Sequence, residues 1–146
     1  MDESAYQSCR QSSNPAPCVF EKAVLAGCVG CSLANRLSLA EREVVACQLP
    51  IARINCATLA ALLRERATFA LHLPPPSQPI AHAKSMQLQC GGLRGLQVVL
   101  DAAHMDVHAL VQQAQQDGQS LLDLPWADML GHVMQWNLRA FRHGRN

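Results

Sequence analysis

A chain of 146 residues with 49% hydrophobic and only 4% aromatic content is long enough for one domain whose core is mostly Leu, Val and Ala. Its 12 Lys and Arg against 11 Asp and Glu, a formal net charge of +1, supply no general field that would gather nucleic acid or anionic lipid. No stretch approaches the roughly 18 uninterrupted apolar residues of a membrane span, and the opening MDESAYQSCR has no apolar run resembling a signal-peptide core. The expected state is soluble and cytoplasmic, where glutathione and thioredoxin keep thiols reduced. The seven cysteines are therefore not expected to form a disulfide framework.

In chain order, residues 1–18 read as an irregular arm, because Pro15 and Pro17 keep the backbone extended. A helix is predicted over 19–36, with Phe20, Ala23, Val24, Cys28, Cys31 and Ala34 recurring at the spacing of one face. Ser38, three residues ahead of Glu41, fits a capping box and opens a short helix to about Gln48, which Pro50 ends or kinks. Beyond it, Cys56, Leu59, Ala60, Leu63, Ala67 and Ala70 form a stripe that predicts a helix over 51–71. The run LPPPSQP, within a 73–84 connector, cannot be helical.

In the second half, 85–146, the alternation of Met86, Leu88 and Cys90 with Gln predicts an extended or turn segment leading into a helix near 93–103. Asp106 is a good N-cap for a helix ending at Gly118, and Asp123 caps a final helix of about 125–142. The expected fold class is all-α: one domain, a small bundle of five to six helices with an irregular N-terminal arm.

The chemistry-bearing feature is the crowding of thiols. Six of the seven cysteines fall between residues 9 and 56, spaced C-x8-C-x9-C-x2-C-x15-C-x8-C, with Cys90 apart. Buried cysteine is a small hydrophobe common in cores, but this density asks for a metal or cluster. The C-x2-C pair, Cys28 and Cys31, can present two sulfurs to one side of a helix or helix end. Cys47 and Cys56 would stand about 900° apart on one straight helix, so they converge only if the chain bends between them, and Pro50 offers the bend. The expected ligands are Cys28, Cys31, Cys47 and Cys56, with Cys18 as the substitute or fifth participant and Cys9 after it.

Four thiolates suit a tetrahedral zinc site or a [4Fe–4S] cube, and the Val, Ala, Leu and Ile around these cysteines favour an iron–sulfur cluster. Zinc is the alternative cofactor, and copper(I), which soft thiolates select, a third. The spacing reproduces neither the bacterial nor the plant-type ferredoxin run. CGGLRG reads as a tight turn with a buried thiol, His104 and His108 as a surface pair, and Trp126 and Trp136 as the apolar face of the last helix. No nucleophile elbow, Ser-His-Asp order or carboxylate pair points to catalysis. The expected function is electron transfer or redox sensing with a partner protein. The competing reading is a metal-stabilised module whose C-terminal helices dock a larger enzyme, or a metal store.

Overall fold

In the computed structural model, which describes Asn14 and residues 16–144, the first helix, α1 (Glu21–Ala26), ends at Gly27. Gly27 takes a φ of 84°; its N–H bonds the Val24 carbonyl at 3.1 Å while Cys28 N–H bonds that of Ala23 at 3.2 Å. This Schellman ending requires a left-handed residue, and glycine adopts that backbone without a Cβ penalty. The helix expected over 19–36 is thus cut short, and Cys28 and Cys31 lie beyond it rather than on its face.

The expected second helix, 38–48, is replaced by an antiparallel hairpin. β1 (Ala34–Leu39) pairs with β2 (Arg42–Cys47), in a register running from Ala34 opposite Cys47 to Leu39 opposite Arg42. The fold is therefore mixed, mostly helical with a two-stranded sheet, and not all-α. The reason lies in β2. A surface helix buries one stripe, but Val44 and Val45, adjacent in sequence, are buried at 1% and 0% exposure, which the alternating faces of a strand allow when both are covered. The outer edge of β2 is also satisfied: Val45 N–H donates to Glu21 Oε2 at 2.9 Å, and its carbonyl accepts from Cys18 N–H at 2.8 Å and Asn14 Nδ2 at 3.1 Å. Packing of this kind overrides the helix propensity of Leu39, Ala40 and Glu41.

The two turn residues, Ala40 and Glu41, have φ of 52° and 68°, the left-handed backbone of a tight hairpin turn but with neither Asn nor Gly to favour it. An L side chain there costs about 1 kcal/mol or more, part of which glycine recovers. Glu41→Gly is expected to stabilise the protein by about 0.5–1 kcal/mol. Urea unfolding checks this: the midpoint should rise with an unchanged slope.

The long helix α2 (Pro50–Leu71) matches the predicted stripe, burying Ala52, Leu59, Leu63, Ala67 and Leu71. Pro50 sits in its first turn, where a missing N–H costs nothing, so proline starts this helix and does not kink one. The LPPPSQP run after it is non-helical, but the end of the expected 73–84 connector, from His82, already belongs to the next helix. The segment expected to be extended is helical throughout: α3 (His82–Met86) runs through a π-helical turn (Gln87–Gly91) into α4 (Gly92–Val99). The polar Gln residues that suggested alternation are spent on tertiary bonds. Gln89 Oε1 accepts from Ala23 N–H at 3.1 Å, and Gln87 Nε2 donates to the Val133 carbonyl at 3.0 Å.

α5 (Val107–Ala114) follows Asp106, and 3₁₀ turns at Gln116–Gly118 and Leu121–Asp123 lead to α6 (Trp126–Gln135) and α7 (Leu138–Gly144). The predicted final helix is broken at Trp136, which is extended, and Asp123 caps the preceding 3₁₀ turn in a box with Ser120. Phe20, Leu59, Leu63, Met86, Leu93, Leu96, Leu110 and Met129, all essentially inaccessible, join α1, α2, α4, α5 and α6 in one core. No helix among the described residues is long and apolar enough to cross a membrane.

Candidate thiol site

The N-terminal approach, the hairpin and α2 bring four free thiols, Cys18, Cys31, Cys47 and Cys56, to one region. Cys47 ends β2 and is the reference point. On one side its N–H donates to the Ala16 carbonyl at 2.8 Å and Pro17 makes an isolated antiparallel bridge to Ala46, so the chain from Ala16 to Cys18 lies along the edge of β2. On the other side Cys47 stands opposite Ala34, whose N–H closes a turn onto the Cys31 carbonyl at 3.1 Å. Cys18 and Cys31 therefore flank Cys47 from two directions. Cys56 comes from the second turn of α2, which Arg53 ties to this region by donating from Nε to the Pro17 carbonyl at 2.7 Å.

The loop carrying Cys31 is held from the far half of the chain. Gly30 N–H bonds the Met105 carbonyl at 3.3 Å, Val107 N–H bonds that of Gly30 at 2.9 Å, and Ser32 N–H donates to Asp106 Oδ1 at 2.9 Å. Asp106, expected as a helix cap, makes no side-chain cap bond to α5 and fixes the Cys31 loop instead.

The ionisation of these thiols shows their mutual proximity. Cys56 is pushed up to about 12, first by burial and then by the charges of Cys31, Cys18 and Cys47. Cys18 is pushed up to about 11, again first by burial, with a Phe20 backbone hydrogen bond opposing it and Cys31, Cys47 and Glu21 adding to the rise. Cys56 and Cys18 are thus held neutral chiefly by burial and in part because other thiols are near. A cation at their centre would reverse that balance, since thiolates are the ligating form and a positive charge favours them. The four are not drawn into a ready coordination shell: among the described residues no three His, Cys, Asp or Glu side chains are grouped as metal ligands. Cys47 Sγ points to the Leu49 carbonyl at 3.4 Å.

Two expectations about the thiols are revised. Cys28 is joined to Cys90 by a disulfide across 62 residues, with Cα atoms 6.0 Å apart, so it offers no thiolate and the C-x2-C pair does not act as one knuckle. A chain whose cysteines were not expected to form a disulfide framework carries this bond among its described residues. Cys90 lies in the π turn, buried at 1% exposure, and not in a loop or tight turn. Its glycine neighbours serve close packing: a Cβ on Gly91 would lie 2.8 Å from Val133 Cα, and one on Gly92 would lie 2.7 Å from a Leu63 methyl. Cys9, the remaining candidate, lies outside the described residues.

Cys18, expected only as a substitute or fifth participant after Cys28, Cys31, Cys47 and Cys56, comes near Cys31, Cys47 and Cys56 because the segment from Ala16 to Cys18 bonds to the edge of β2. The change of direction between Cys47 and Cys56 occurs at Gln48 and Leu49, where strand gives way to helix, just before Pro50. Compared with known proteins, the chain matches no protein-family model, no curated protein and no solved structure.

Proposed function

We propose that the protein binds an iron–sulfur cluster, a [4Fe–4S] cube on Cys18, Cys31, Cys47 and Cys56, and serves in electron transfer or redox sensing. The observation that carries this reading is the set of four free thiols, contributed by the segment before α1, the loop before β1, the end of β2 and α2, which lie near enough that Cys31 and Cys47 help to raise Cys18 and Cys56. Their count equals the thiolate demand of one cube. They pack against the hydrophobic core at Cys18, Cys31 and Cys56, and burial of that kind tunes a cluster's potential. All four side chains are of intermediate burial, so they reach both the core and the surface.

A redox protein partner belongs to this reading. Ile51 and Ile54, 69% and 62% exposed, lie between Cys47 and Cys56 in the chain and give such a partner an apolar contact beside the site. The cytoplasm belongs to it too, because free thiols persist where glutathione and thioredoxin keep them reduced, while the buried Cys90 sulfur shields the one disulfide from exchange.

Anaerobic reconstitution with iron and sulfide tests the proposal. The expected product is brown, absorbs broadly near about 400 nm and bleaches reversibly on reduction. Cys18→Ala, Cys31→Ala, Cys47→Ala and Cys56→Ala should each lose most of the iron, whereas Cys28→Ala and Cys90→Ala should retain it. A colourless protein with stoichiometric zinc on the same four thiols would replace this reading by a structural zinc module. Iron that depends on Cys28 and not on Cys18 would overturn the ligand set.

A further inference from the structure

We propose that the cleft between α1, α3 and α7 is a binding site for an organic anion with an apolar body. The cleft measures about 330 Å³, at the lower end of the range for small-molecule sites. Its walls are apolar: Leu25 and Ala26 from α1, Met86 from α3, Leu138 and Phe141 from α7. At its rim stand three bases, Lys22, His82 and Arg142, and no acid lines it. None of the three pairs with a carboxylate among the described residues.

The rim bases are already organised. Lys22 Nζ lies 3.3 Å from His82 Nδ1. An ammonium has only donors, so in this contact Nδ1 is the acceptor and Nε2–H is the ring's donor, beside Lys22 and Arg142. An incoming oxyanion would meet the Arg142 fork, the remaining Lys22 protons and that N–H, the donor set that suits a carboxylate or a phosphate monoester. α7 follows the extended break at Trp136 and buries none of its own residues fully, although it contributes Leu138 and Phe141 to the cleft. An apolar body seated there completes the packing of α7 on α1 and α3. The site is separate from the thiols and does not depend on their occupancy.

Isothermal calorimetry on the full chain tests this with octanoate and phenyl phosphate as probes, and with octanol and acetate as the body and the head group alone. Octanoate or phenyl phosphate should bind at one saturable site, and the tighter of the two identifies the head group. Octanol and acetate should each bind at least about tenfold more weakly, the effect of losing a charge-assisted bond or the apolar contact. Arg142→Gln and Lys22→Met, both at exposed positions, should weaken the anion by a similar factor without changing the unfolding midpoint. Trp136, whose ring centroid is 5.6 Å from that of Phe141, reports the location: binding should change its fluorescence, and Trp136→Phe should remove that change while calorimetric binding remains. Equal binding of octanol, equal binding of acetate, or indifference to both charge variants would overturn the proposal.

Discussion

Replacing Gly91 with alanine is expected to destabilise the protein by about 2–3 kcal/mol, in the range for overpacking a filled interior. The new Cβ would meet Val133 Cα at 2.8 Å, Trp136 Cβ at 3.0 Å and the His132 carbonyl oxygen at 3.3 Å. Two of these are backbone atoms of α6 or its end, so no side-chain rotation relieves the contact. The helix carrying Gly91 and α6 must separate, and α4 packs chiefly on α6. Gly131→Ala provides the contrast, because a Cβ there meets nothing within 4 Å and the position is helical. It should gain about 1 kcal/mol from helix propensity. Paired urea curves decide the matter; a Gly91→Ala protein as stable as the wild type would mean that the two helices do not approach so closely.

Reducing the Cys28–Cys90 bond is expected to lower stability by about 2–4 kcal/mol. A cross-link spanning 62 residues removes loop-closure entropy from the unfolded chain worth roughly 4 kcal/mol in the chain-entropy model. The bond also joins the residue after the Schellman turn of α1 to the π turn, two places whose other links are few: the Gln89 side chain to Ala23 N–H is one. The melting temperature should fall by about 10 °C at this chain length. The Cys28→Ala, Cys90→Ala double variant should melt like the reduced wild type and be insensitive to reductant. Thiol titration of the denatured wild type should find two more groups after reduction than before. If reduction changes neither the count nor the melting temperature, the pair is not bonded.

What was legible in the sequence follows from how local the causes are. α2 could be read because Leu59, Leu63 and Ala67 repeat at one period over many turns, and the burial confirms that face. The hairpin could not: its turn uses Ala40 and Glu41 in a backbone that normally advertises itself by Asn or Gly, and the decisive contacts to Val45 come from Asn14, Cys18 and Glu21. Gly27, just before Cys28, is a local stop signal in the sequence, and its left-handed backbone ends α1. The π turn was hidden, because nothing in GLN and CYS spacing distinguishes an inserted helical residue from the start of an extended segment. Crowding of cysteines is visible in the N-terminal half of the sequence, but which of these thiols lie near one another is set by strand pairing. Cys18 reaches Cys47 through the bridge of Pro17 to Ala46, and Cys28 leaves the set through a contact with Cys90 that no local pattern encodes.

The order of the cysteines along the chain also sets an order in time. Cys18, Cys31, Cys47 and Cys56 all emerge during synthesis before Cys90, the partner of Cys28, has been made. At roughly 5–20 residues per second the interval is a few seconds, long compared with hairpin closure in microseconds. During that interval Cys28 is a fifth thiol beside Cys31 with no partner of its own. The nascent chain therefore passes through a stage in which Cys28 is a free thiol, and its bond to Cys90 waits both for the π turn to be made and for an oxidant to take up the two electrons released.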